Sequence, residues 1–134
     1  MKQAEDNKTL DMWENNKMKT SELTGVALDW AVAECEKMDI EIRPAGACGR
    51  PLYVLAAEAG RPPWTWTPTT SWHQGGPIIE REGLCLSYDA FVKRWNCSTP
   101  VLDSYQAETP LIAAMRCYVA SKLGDEVEVP VDLK

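Results

Sequence analysis

His73 is the only histidine in the chain, and with Ser71, Cys48 and Cys85 it makes up the groups from which nucleophilic chemistry would have to be built. An imidazole works as a general base only when the fold brings a nucleophile within hydrogen-bond reach and a third group orients the ring. No nucleophile elbow or other local signature surrounds Ser71, Cys48 or Cys85. The five cysteines, Cys35, Cys48, Cys85, Cys97 and Cys117, are spaced by 13, 37, 12 and 20 residues, so no Cys-x-x-Cys pair prepares a zinc site or a redox couple. One histidine and scattered thiols fall short of the ligand clusters that metals require. No Walker or dinucleotide glycine pattern is present to cradle phosphates. The expectation is a non-catalytic chain without metal or cofactor, its cysteines buried and inert.

Binding chemistry is better represented. Trp64, Trp66 and Trp72, three of the six tryptophans, fall in a Pro- and Thr-rich stretch that runs into Gly75-Gly76-Pro77. Indole faces stack on bases at roughly 1–3 kcal/mol per base in nucleic-acid sites. Arg61, Gln74 and Arg81 offer donors for phosphate or base edges, His73 can hydrogen-bond or stack, and the Gly75 and Gly76 amides can form an anion-accepting concavity. These nine residues, Arg61, Trp64, Trp66, Trp72, His73, Gln74, Gly75, Gly76 and Arg81, are the candidate ligand-binding set. The competing reading is that the tryptophans fill a small core beneath long loops.

The elements that must hold this stretch are clearest at its flanks. From Ser21 to about Met38 the apolar positions Leu23, Ala27, Trp30, Ala31 and Met38 follow helical spacing, with Thr20 or Ser21 as cap and Asp29, Glu34, Glu36 and Lys37 left for water. Thr109 and Pro110 open a second helix and Gly124 ends it, with Leu111, Ile112, Met115, Tyr118, Val119 and Leu123 on one face and Arg116 and Lys122 outside. Strands are expected at Ile40–Ile42, Pro51–Ala57, Pro77–Glu80 and Leu84–Ser87, with Arg81 to Gly83 as a turn and Asp125–Val131 as a charged edge strand. Asp89–Trp95 fits helix or strand. The fold class is α+β: two main helices packed on a small antiparallel sheet, with long Pro/Trp-rich loops.

The chain of 134 residues fits one domain, residues 18–134, preceded by a polar extension, residues 1–17. A net charge of −6 without a Lys/Arg cluster argues against direct nucleic-acid binding. No apolar run reaches bilayer length and no signal peptide is evident, so a cytoplasmic protein is expected. A homodimer or higher homo-oligomer would bury a sheet edge and some of the tryptophan surface.

Three fragments carry a family resemblance. Ser21-Glu-Leu-Thr-Gly-Val-Ala-Leu-Asp-Trp-Ala-Val-Ala33, Gln74-Gly-Gly-Pro-Ile-Ile-Glu-Arg-Glu-Gly83 and the segment from Thr109 to Val129 resemble, in order, the NinX family of lambdoid phages and related prophages, over about residues 18 to 132. Family members begin near the equivalent of Met18 and carry Asp or Asn before the central tryptophan and a small residue after it, where this chain has Ser71 and His73. The resemblance implies a phage accessory protein in the cytoplasm of the infected bacterial host, and it brings no biochemical activity with it. Two functions follow as expectations. One is capture of a small nucleotide-like ligand that antagonises host defence signalling. The alternative is an acidic protein-interaction module that inhibits or recruits a host or phage DNA-handling protein.

Overall fold

A computed structural model of the chain describes residues 17–44, 52–130 and 133. Most of the polar extension and Cys48 therefore lie outside the described residues. The expected α+β class holds. Among the described residues there are three α-helices, α1 (Gly25–Glu36), α2 (Trp72–Glu82) and α3 (Pro110–Leu123). The strands are β1 (Lys17–Lys19), β2 (Asp39–Pro44), β3 (Leu52–Glu58), β4 (Arg61–Thr65), β5 (Cys85–Asp89), β6 (Arg94–Thr99), β7 (Leu102–Ala107) and β8 (Glu126–Glu128). They form three antiparallel sheets, β2-β3-β4, β5-β6-β7 and the pair β1-β8.

Helix α3 is the hub. It packs against β6 and β7, α1 and α2, and Leu111, Ala113, Ala114, Met115, Cys117, Tyr118, Val119 and Ala120 are all buried. Residues buried on successive positions cover every side of a helix, so the single apolar face expected from the sequence is corrected to a helix sunk in the core. Its start is as expected: the Thr109 hydroxyl accepts the Ile112 N–H at 3.2 Å, and Pro110 occupies the first turn. Gly124 closes it at φ 93° with an extended ψ of −173°, so the chain leaves straight into β8.

Helix α1 is shorter at its start than Ser21. Thr20 is fully buried, its N–H donates to the Asp125 carbonyl at 2.8 Å and its hydroxyl to the Gly124 carbonyl at 2.6 Å. A threonine committed to those partners cannot cap, and Thr24 takes the N-cap position. The tail strand β8 is guarded as expected, and its neighbour β1 opposes it with lysines: Lys17 faces Glu128 and Lys19 faces Glu126 across the ladder.

The largest correction is at Trp72–Glu82. Pro77–Glu80 was expected as a strand after a Gly-Gly-Pro turn; it lies inside α2. Gly75, Ile78, Ile79 and Glu82 recur at helical spacing and turn one side towards the core, where Ile78 is buried. Pro77 forfeits one backbone bond there, and packing outweighs that local cost. Gly83, at φ 63° and ψ 41°, is a left-handed cap that fits the expected break before β5. The Asp89–Trp95 segment resolves as a hairpin, with Tyr88 opposite Trp95 at 5.3 Å between ring centroids.

Of the described cysteines, Cys97 and Cys117 are buried and Cys35 half-buried. Cys85 is exposed at the start of an edge strand, against the expectation that all would be buried. Among the described residues no helix is long and apolar enough to cross a membrane.

Candidate functional site

The nine candidate residues do not converge on one pocket. They separate into a buckle that closes the 61–82 segment, an ion-paired clamp, and two open surfaces.

The buckle consists of Trp66, Gln74 and Gly75. Trp66 is 8% exposed, and its N–H donates to the Val54 carbonyl of β3 at 2.8 Å. Its indole Nε1 is buried without a hydrogen-bond partner. Gln74, on α2, accepts the Thr67 N–H at 2.6 Å and donates to the Thr65 carbonyl at 2.9 Å, which ties the helix back to the end of β4. A Cβ on Gly75 would stand 2.6 Å from the Pro68 carbonyl oxygen and 2.7 Å from Leu111 Cδ2, so only glycine lets α2 approach both. Asp29 completes the buckle from α1. Expected to face water, it is 5% exposed and accepts the Thr69 N–H at 3.0 Å. Burial pushes its carboxyl up to about 6, and the Thr69 hydrogen bonds offset only part of that rise.

Arg81 forms the clamp between the three helices. Its guanidinium donates to both Glu36 oxygens at 3.1 and 2.6 Å, to Glu82 at 3.0 Å and to the Tyr118 hydroxyl at 3.1 Å. The Tyr118 hydroxyl donates to Glu36 in turn, and Lys122 reaches Glu82 at 3.3 Å. Burial raises the Glu36 carboxyl, but the Arg81 and Tyr118 hydrogen bonds overcome it and hold the group below its ordinary range. Burial, followed by the bond to Glu36, pushes the Tyr118 phenol up. Glu36 is therefore corrected from a solvated residue to the acceptor at the centre of this cluster, because its partners come from helices distant in the chain.

The remaining residues stay accessible. Trp72 is 54% exposed and walls a hollow of about 260 Å³ with Thr69, Thr70, Thr109, Pro110 and Ile112. His73 next to it is exposed, and a Cβ on Gly76 would meet nothing within 4 Å. Trp64 lies on β4, half-buried, with the Arg61 guanidinium 4.2 Å from its ring centroid and Glu58 3.2 Å from Arg61. Trp64 also walls a cleft of about 590 Å³ together with Lys37, Met38, Asp39, Glu58 and Ala59. The cleft opens where α1 ends: Lys37, at φ 57° and ψ 43°, turns the chain into β2.

Sequence reasoning missed Asp29, Glu36, Tyr118, Lys37 and Asp39. Asp29 carried a readable signal, a lone acid in the apolar run Val26–Ala33, three residues before the buried Val32. The others depend on tertiary contacts. No group of three or more His, Cys, Asp or Glu able to hold a metal occurs among the described residues.

A comparison with curated proteins brings no match. The sequence model of the family described as Bacteriophage P22, NinX, matches residues 19–122, a span that includes α1, α2, all but the last residue of α3, the buckle and the Trp64 cleft. The chain belongs to this phage NinX family.

Proposed function

We propose that this phage accessory protein is not an enzyme and captures a small nucleotide-like ligand in the cleft beside Trp64, in the cytoplasm of the infected host, antagonising defence signalling. The observation that carries the reading is Trp64, which walls a cleft of about 590 Å³ and has the Arg61 guanidinium over its ring. The indole offers the cleft a flat face on which a planar ring can stack, and the guanidinium over it adds positive charge beside the site. Asp39 and Glu58 supply acceptors for base N–H groups, and Lys37 supplies an ammonium for a phosphate. The defence setting draws its support from the phage family alone.

Melting temperatures measured with a panel of cyclic and linear nucleotides test the reading, because a ligand bound to the native state raises stability by mass action. At least one nucleotide should raise the melting temperature of the wild type and of Trp72→Ala but leave Trp64→Ala unmoved. A flat response across the panel overturns the proposal.

A second reading, a protein-interaction module, is favoured by the β5–β6 hairpin tip, where Phe91 is 100% exposed, Val92 54% and Tyr88 51%. Contiguous apolar surface of that kind marks contact sites. The acidic tail supports it less, since the lysines of β1 oppose Glu126 and Glu128. Recovery of one partner from infected cells by the wild type but not by Phe91→Ser would favour this reading over ligand capture.

A further inference from the structure

Arginine in this chain is usually neutralised on the spot. Arg43 meets Glu41 at 2.6 Å, Arg61 meets Glu58 at 3.2 Å, and Arg81 meets Glu36 at 2.6 Å and Glu82 at 3.0 Å. Among the described residues Arg94 and Arg116 make no such pair, and these two line the same pocket, about 200 Å³, with Thr24, Ala107, Glu108 and Ile112.

Each has a reason for being left over. Arg94 opens β6 opposite Asp89 of β5, but the Asp89 carboxylate is occupied by the turn, accepting the N–H groups of Phe91 at 2.9 Å and Val92 at 3.4 Å. Arg94 Nε is buried without a hydrogen-bond partner. Arg116 is pinned by neutral groups: its Nε donates to the Leu23 carbonyl at 2.7 Å and one Nη to the Gln106 carbonyl at 2.6 Å. Those bonds fix the guanidinium and leave its charge standing. Burial, then the nearby Arg94, makes Arg116 easier to deprotonate than usual, and Glu108 opposes that only in part. Thr24 adds a hydroxyl that makes no capping bond to α1. Two guanidiniums lining one small pocket repel each other and neither is held in an ion pair, and the ligand class that answers both is a small oxyanion.

We propose that Arg94 and Arg116 bind one phosphate-sized oxyanion in this pocket through the guanidinium N–H groups that their present hydrogen bonds leave unused, with Glu108 limiting its affinity. The site lies at the start of α1, at the other end of that helix from the Trp64 cleft, and it stands independently of the ligand proposed there.

The test is a titration of the full-length ¹⁵N-labelled protein with inorganic phosphate at ionic strength held constant with chloride, following the arginine Nε–Hε signals. Saturable movement of the Arg94 signal is expected. Binding should weaken about tenfold or more in Arg94→Gln, as for loss of a hydrogen bond between charged groups, and strengthen about threefold in Glu108→Gln. Trp64→Ala should bind phosphate like the wild type. Arg94→Gln is the chosen variant because Arg116 also ties Leu23 to Gln106 and its loss can disturb folding. A nucleoside monophosphate serves as the second arm: tighter binding than inorganic phosphate identifies a phosphomonoester as the ligand, and equal binding identifies the free ion. An Arg94 signal that stays still or moves as much with chloride overturns the site, and so does an Arg116 response to phosphate that Arg94→Gln leaves unchanged.

Discussion

Trp64 and Trp66 are two residues apart and do opposite things. Trp66 is sealed beneath the 66–71 segment, its backbone bonded to Val54, with Gln74, Gly75 and Asp29 closing the chain around it. Trp64 shows its ring to a cleft and is covered on one side by an arginine. The difference teaches where to look for function in an aromatic-rich stretch. Rings whose neighbours spend their hydrogen bonds on the chain itself hold the fold, while a ring bordered by open space and exposed charges is available to a ligand. The same division separates the arginines: Arg81 has its donors spread over Glu36, Glu82 and Tyr118, whereas among the described residues Arg94 and Arg116 form no ion pair.

The largest expected effect falls on the sealed side. Trp66→Ala should cost about 3–5 kcal/mol in urea unfolding, the range for truncating a buried large aromatic, and Trp64→Ala no more than about 1 kcal/mol. Trp66→Phe sharpens the comparison. It keeps most of the buried ring and removes the unpartnered Nε1–H, so it should cost far less than Trp66→Ala. Equal costs for Trp64→Ala and Trp66→Ala would erase the distinction.

Next in size is the pH dependence that Asp29 imposes. Its folded carboxyl is raised to about 6 from an ordinary 3.8, so the folded state holds the proton more tightly. That contribution is full below about pH 4 and is lost as pH rises to about 6, a change of order 3 kcal/mol. Asp29→Asn keeps an acceptor for Thr69 and should flatten the stability profile across that window, raising stability at neutral pH. Glu36 works in the opposite sense: its pKa is lowered, so its contribution is present above the ordinary carboxylate range and lost as pH falls. Chemical denaturation from pH 3.5 to 7.5 in Asp29→Asn and Glu36→Gln separates the two.

The smaller contrast lies within one helix. Gly75→Ala places a methyl against the Pro68 carbonyl and Leu111, and should destabilise by about 1–3 kcal/mol. Gly76→Ala meets nothing within 4 Å and should stabilise α2 by about 0.5–1 kcal/mol through helix propensity. Melting curves of the two variants should move in opposite directions.

What the sequence made legible was local chemistry. Thr109-Pro110 announced the start of α3 because a hydroxyl cap and a proline act within one turn. Gly83 likewise marked a break that the chain makes with a left-handed residue. Helix α2 was hidden because Gly75-Gly76-Pro77 belongs to the local vocabulary of turns, and its helical state is imposed by packing on Pro68 and Leu111. The fates of Asp29 and Glu36 were hidden for a related reason: their partners Thr69, Arg81 and Tyr118 lie 40 to 82 residues away. The candidate set was legible as residue types but not as a site. Trp66, Gln74 and Gly75 went to the buckle, Arg81 to the clamp, Trp72, His73 and Gly76 to an open face, and Trp64, with Arg61 over its ring, to the edge of the cleft.

The central claim is that the ligand face is Trp64 and not its sealed neighbour. Tryptophan Nε1–Hε1 signals of the ¹⁵N-labelled full chain, followed while the best nucleotide of the panel is added, test it most directly. The predicted result is saturable movement of the Trp64 signal with Trp66 stationary. Movement of Trp66 or Trp72 while Trp64 stays still would contradict it.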